Sequence, residues 1–98
     1  VINNNTYGTI RMHQERFYPG RVYGTDLINP DFAALGRAYG LTGETVEQTE
    51  DFAPAFERAS ASGGPSMIEI KIEQDQISPR ATLSGLREAG LRTKGLAK

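Results

Sequence analysis

The run Asn3-Asn4-Asn5-Thr6-Tyr7-Gly8 holds the residue types in this sequence best suited to chemistry. Asn4 offers a neutral amide oxygen and Thr6 a backbone carbonyl. Both are hard donors that suit magnesium in an octahedral shell completed by phosphate oxygens and a carboxylate. Neutral ligands make sense where the charge comes from elsewhere. Gly8 lets the backbone approach a ligand closely, and a helix beginning near Thr9 would aim free N–H groups at anionic oxygens. Taken alone, three asparagines after a strand also read as an ordinary turn, because asparagine tolerates left-handed backbone.

Other chemical groups are scattered. His13 is the only histidine; it could reach a substrate, but with no neighbour to fix its tautomer it reads better as an exposed helix or loop residue. Arg11 and Arg16 suit a carboxylate or phosphate, or the ordinary role of solvated or ion-paired surface charges. Phe17, Tyr18 and Tyr23 around Pro19-Gly20 suit an entrance or a subunit contact, though a loop packed on its own apolar residues is the simpler reading. Glu69, Glu73 and Asp75 have no spacing that marks a carboxylate pair, and receive no role. No residue is read as catalytic. The absence of cysteine removes disulfides, zinc-thiolate sites and thiol nucleophiles, and a reducing cytoplasm is the natural compartment.

These groups need elements to position them. Val1-Ile2 is strand-type and runs straight into the asparagine turn, so the sequence reads as a strand end and as a piece of a longer chain, truncated before Val1. Asn29-Pro30-Asp31 marks a helix start, with Asn29 as side-chain cap and Pro30 at the first helical position. Phe32, Leu35, Ala38 and Tyr39 then form its apolar face, and Gly40 ends it. Glu44–Glu47 reads as a short strand. Thr49-Glu50-Asp51 starts a second helix with Phe52, Phe56 and Ala59 inward, stopped at Gly63-Gly64-Pro65. In Met67–Ile72 the isoleucines alternate with Glu69 and Lys71, the pattern of a strand with one buried face near a sheet edge. Beyond Ser78-Pro79, a last helix from Thr82 carries Leu83, Leu86 and Leu91, although Gly85 and Gly90 each cost roughly 1 kcal/mol against alanine.

Strand, helix, strand, helix, strand is an α/β order, with right-handed crossovers building a parallel sheet. Ninety-eight residues, 38% of them hydrophobic, suffice for one core, so residues 1–98 count as one domain. Eleven basic against 12 acidic residues, without long blocks of one sign, argue against nucleic-acid or anionic-membrane partners. No apolar run approaches membrane-spanning length. In a parallel sheet ligands collect at the carboxyl ends of strands, which is where Asn3–Gly8 would lie.

Val1–Gly8 resembles the closing part of the thiamine-diphosphate fingerprint that starts with Gly-Asp-Gly and ends with Asn-Asn. Thr9–Glu15, Gly24–Leu27, Asn29–Phe32, Ile68–Ile70 and Ser78–Leu83 are similar, in order and spacing, to later segments of acetolactate-synthase-like and benzoylformate-decarboxylase-like enzymes. The resemblance implies a partial three-layer parallel sheet with flanking helices, the C-terminal half of a thiamine-diphosphate-binding domain. It implies Asn4 as a side-chain magnesium ligand and Thr6 as a carbonyl ligand. Asn3 would brace the turn, Tyr7 would lie beside the diphosphate, and Gly8 would complete the cofactor-binding set. Asn5 stands where the family usually has glycine, and asparagine tolerates the positive φ required there.

The cofactors implied are thiamine diphosphate and Mg2+, and the reaction is decarboxylation of a 2-oxo acid followed by protonation or carboligation. The implied partners are that substrate, the remainder of the parent chain and a second copy, as a homodimer or homotetramer. The aspartate of Gly-Asp-Gly and the family's catalytic glutamate lie outside this sequence, so the chain alone is expected to anchor and not to react. The alternative is a non-catalytic α/β protein-interaction or regulatory domain.

Overall fold

A computed structural model of the chain describes residues 1–95. In chain order the elements are β1 (Ile2–Asn3), α1 (Gly8–Phe17), α2 (Phe32–Ala38), β2 (Thr42–Val46), a 3-10 turn at Thr49–Asp51, α3 (Phe52–Ala61), β3 (Ser66–Lys71), β4 (Gln76–Ser78), β5 (Ala81–Thr82) and α4 (Leu83–Thr93). They fall into two compact units. The first joins Val1–Asn3 to Ile28–Ile72, and the second joins Asn4–Leu27 to the chain from Glu73 onward. The class is α/β, as the sequence implied.

The first unit is a three-stranded parallel sheet in the order β1-β3-β2. Ile70 is the register partner of both Ile2 and Val46, so β3 is the middle strand and not the edge strand its charges suggested. The two crossovers run in opposite directions across the sheet. Right-handed connections therefore place α2 and α3 on opposite faces. The side chains agree. Gly43 meets Ala33 of α2, while Glu44, its neighbour on β2, pairs with Arg58 of α3 at 2.8 Å. With both faces covered, alternation no longer means inside and outside. Glu69 is 1% exposed on the α2 side, and Ile68, Ile70 and Met67 are only half-buried.

The same geometry corrects the helix faces. Ala33 and Gly36 are the buried residues of α2, and Leu35 and Tyr39 are exposed. Small residues face the sheet because the backbones come close: a Cβ on Gly36 would stand 3.0 Å from Met67 Cβ, and one on Gly43 would collide with the Ala33 carbonyl. Asp31, not Asn29, caps α2, accepting from Ala34 N at 3.0 Å. Asn29 is thereby freed to donate to Asn3 Oδ1 at 2.7 Å. Gly40 does end the helix, at φ +83°. On α3 the inward residue is Ala55, and Phe52 and Phe56 pack on each other at the surface.

The second unit packs α1 against α4, with a β4–β5 hairpin that the sequence reading missed. Thr82 caps α4 through Gly85 N at 3.0 Å. Asp75 adds a second cap, taking Ser84 N at 2.9 Å and Ser84 Oγ at 2.8 Å. Those bonds hold its carboxyl below the usual aspartate range. Leu83 is fully buried, and Leu86 and Leu91 are half-buried, as the stripe implied. Gly90 is buried because the α1 backbone runs beside it: an added Cβ would meet the Arg16 carbonyl at 2.7 Å. Glu15, fully buried on α1, is held by Arg87 of α4. Among the described residues no helix is long and apolar enough to cross a membrane.

Candidate functional site

The segment from Asn4 to Gly8 begins where β1 ends, and its shape follows from its residue types. Asn4 Oδ1 accepts from Thr6 N at 3.3 Å, a side-chain-closed turn of the kind asparagine favours. Asn5 takes the left-handed conformation at φ 58°, the non-glycine residue best able to do so. Thr6 then forms an antiparallel bridge to Asp26. Flanking bonds from Tyr7 N to the Thr25 carbonyl and from Leu27 N to the Asn5 carbonyl, each 2.8 Å, fix this bridge. Thr6 Oγ1 also reaches the Thr25 carbonyl at 2.8 Å, so Thr6 and Thr25 are enclosed, 7% and 2% exposed.

Two consequences matter for ligands. An amide oxygen has two lone pairs, and Asn4 Oδ1 spends one on a long bond, leaving one for a cation. Among the described residues nothing donates to the Thr6 carbonyl, which the bridge turns away from the Thr25–Leu27 strand. Tyr7 precedes α1 with no side-chain cap, and the N–H groups of Gly8, Thr9 and Ile10 have no acceptor among the described residues. Free N–H groups at a ten-residue helix start suit an anion. Thr6–Ile10 line an open depression of about 300 Å³ in front of them.

Gly8 is needed for space. A Cβ there would stand 2.7 Å from Ile77 Cδ1 and 3.3 Å from Asn4 Nδ2. Tyr7 is half exposed, its ring available to a ligand. Asn4, Thr6, Tyr7 and Gly8 thus share one continuous turn, whereas Asn3 belongs to the sheet unit, where it donates to Glu69 Oε2 at 2.8 Å. No cluster of three His, Asp or Glu residues that could hold a metal occurs among the described residues. The two oxygens this turn offers, Asn4 Oδ1 and the Thr6 carbonyl, are both neutral.

The remaining candidates lie elsewhere. His13 is exposed and stacks on Phe17, with ring centroids 6.1 Å apart. Arg11 is turned inward, bonded to Gln74 at 2.8 Å and 3.5 Å from Asp26, while Arg16 is exposed. Phe17, Tyr18 and Tyr23 are mostly exposed, so their loop does not pack on itself as expected; Lys94 lies over the Tyr18 ring. The buried Glu69, the Glu15–Arg87 pair and Gln74 were missed. The apolar setting of Glu69 was the one sequence signal available for any of them.

Comparison with known proteins now bears on this turn. Residues 1–70 match the family described as thiamine pyrophosphate enzyme, C-terminal TPP binding domain. The chain is 32% identical over 78 residues to the acetolactate synthase large subunit of Parasynechococcus marenigrum, a match covering 78% of this chain and 13% of that protein. It is 30% identical over 74 residues to the mitochondrial acetolactate synthase catalytic subunit of Saccharomyces cerevisiae, covering 76% and 11%. It is 33% identical over 86 residues to the large subunit from Corynebacterium glutamicum, covering 81% and 14%. The chain thus spans 11–14% of the length of these relatives. On the family match, the order of its elements and these relatives together, the chain belongs to the C-terminal, cofactor-binding part of the thiamine pyrophosphate enzymes.

Proposed function

We propose that the chain supplies part of the thiamine-diphosphate and magnesium anchor of an enzyme acting on 2-oxo acids, by acetolactate-synthase-like carboligation or by decarboxylation. The observation that carries this reading is the Thr6 carbonyl, to which nothing donates among the described residues although Thr6 is enclosed and bonded through its hydroxyl and its N–H. A backbone carbonyl beside an open depression and without a protein donor among the described residues is a hard oxygen that a cation suits.

The residues fit the group. Asn4 Oδ1 and the Thr6 carbonyl would hold magnesium, and the N–H groups of Gly8 and Thr9 would take diphosphate oxygens. Tyr7 would lie beside the diphosphate, and Gly8 leaves room for Ile77 and the Asn4 amide at the helix start. Because both metal ligands are neutral, the balancing carboxylate belongs to a part of the enzyme outside this chain. Bound thiamine diphosphate would supply the electron sink for decarboxylation. This chain's own part is to bind and orient.

The surface supports a role inside a larger assembly. Ile28 is fully exposed, Tyr23 is 88% and Tyr39 79% exposed, and Phe52, Phe56 and Ile72 add further apolar area. Exposed apolar groups of this kind suit surface that other protein covers. We assign that cover to the rest of the parent chain and to a second subunit, and the compartment to the cytoplasm.

The test is Asn4→Ala in the full-length protein, titrated with magnesium and thiamine diphosphate. Cofactor affinity should fall at least about tenfold, as expected when a metal ligand is lost. Unchanged affinity overturns the assignment.

A further inference from the structure

We infer that Gln74 is a positioning residue for the magnesium-binding turn, its amide spanning Arg11 on one side and the Asn4 carbonyl on the other. The inference rests on the reading of Asn4 and Thr6 as metal ligands. Arg11 Nη1 donates to Gln74 Oε1 at 2.8 Å, and Gln74 Nε2 donates to the Asn4 carbonyl at 3.4 Å. A guanidinium can only donate. It therefore selects the amide orientation in which the oxygen faces Arg11 and the NH2 group is left for Asn4. The flipped amide would set donor against donor.

The choice of acceptor is what gives Gln74 a function. The Asn4 carbonyl belongs to the peptide joining Asn4 to the left-handed Asn5. Holding that peptide plane limits ψ of Asn4 and φ of Asn5, and so the directions of the Asn4 side chain and the Thr6 carbonyl. Arg11 ties the arrangement to the helix start, since its own N–H closes the first turn of α1 on the Tyr7 carbonyl at 2.9 Å. Its side chain is 17% exposed, and its buried Nε has no partner among the described residues. Enclosure holds the guanidinium, together with Gln74 and the Asp26 carboxylate 3.5 Å away. The two halves of the anchor, the metal-binding turn and the open helix start, are thereby linked through one side-chain pair.

The experiment is calorimetric titration of magnesium into the full-length protein with thiamine diphosphate present. Gln74→Met keeps the length and removes both bonds; magnesium affinity should weaken about fivefold, the scale of one modest hydrogen bond. The melting temperature without cofactor should fall modestly, because the enclosed Arg11 guanidinium loses a partner, and excess magnesium should restore turnover. Arg11→Met should weaken magnesium in the same direction, and the double variant should be no weaker than Gln74→Met alone. Unchanged magnesium affinity in Gln74→Met, or strictly additive losses in the double variant, overturns the inference. If Asn4→Ala weakens magnesium while Gln74→Met does not, the metal site stands and only Gln74 loses its role; if Asn4→Ala has no effect, both fall.

Discussion

Asn3 and Glu69, 66 residues apart, meet in the sheet unit through a 2.8 Å bond from Asn3 Nδ2 to Glu69 Oε2. Both are buried, and the other carboxylate oxygen accepts from Phe32 N at the start of α2 at 3.1 Å. One side chain on the middle strand thus fixes the end of β1 and the entry to α2. Burying a carboxylate is costly unless its oxygens are bonded, and here each oxygen is.

Glu69→Gln tests this arrangement with almost no change of shape. An amide has one oxygen for two donors, so its NH2 group must face either Asn3 Nδ2 or Phe32 N. One buried donor loses its partner, at a cost of about 1–3 kcal/mol. Chemical denaturation of the two proteins at neutral pH measures it. Equal stability would mean that Glu69 is not the brace its contacts describe.

The Glu15–Arg87 pair makes stability depend on pH. Arg87 donates to both Glu15 oxygens, at 2.7 and 2.6 Å, and these bonds hold the Glu15 carboxyl below the usual glutamate range against the opposing effect of burial. A carboxyl whose folded value lies below its unfolded value stabilises the fold fully above the unfolded value, about 4.3. That contribution is lost as the pH falls from there through the folded value. Arg87→Met should cost about 2 kcal/mol at neutral pH, the cost of a broken buried pair discounted for an Arg87 side chain 41% exposed. Glu15→Leu with Arg87→Met should recover much of it, and its stability should fall less than that of the original protein between pH 7 and pH 3. Parallel pH profiles would show that the pair contributes nothing specific.

Legibility in the sequence followed the range of the interactions. Helix ends and the Asn-Asn turn are local, so Gly40, the α4 start at Thr82 and the left-handed Asn5 lie where their residue types put them, whereas the cap of α2 fell on Asp31 and not on Asn29. The β4–β5 hairpin was hidden by its length, strands of three and two residues being too short for periodicity to register. The faces of α2 and α3 were misjudged because large apolar residues were assigned inward, whereas close backbone approach selected Ala33, Gly36 and Ala55. Glu69 was hidden by the assumption of one buried face, which fails on a middle strand covered on both sides. Glu15 and Arg87 are 72 residues apart, beyond any local pattern. The reading of the Asn4–Gly8 turn as a cofactor anchor came through resemblance, since its residue types alone fit an ordinary turn better.

Gly8→Ala separates packing from binding at that turn. The added methyl would stand 2.7 Å from Ile77 Cδ1, the end of a flexible side chain that can rotate away. It would also stand 3.3 Å from Asn4 Nδ2, tighter than an ordinary contact, so the Asn4 amide must shift and its Oδ1 with it. Alanine favours helix over glycine by about 1 kcal/mol, which offsets the crowding and leaves stability without cofactor within roughly that range. Affinity for magnesium and thiamine diphosphate should nonetheless fall about tenfold, the scale set by misaligning one proposed metal ligand. Shortening Ile77 in the same protein, as Gly8→Ala with Ile77→Ala, should relieve the first contact and not the second, so affinity should stay low. Recovery of affinity in that pair would place the effect in β4 and take Asn4 out of the account.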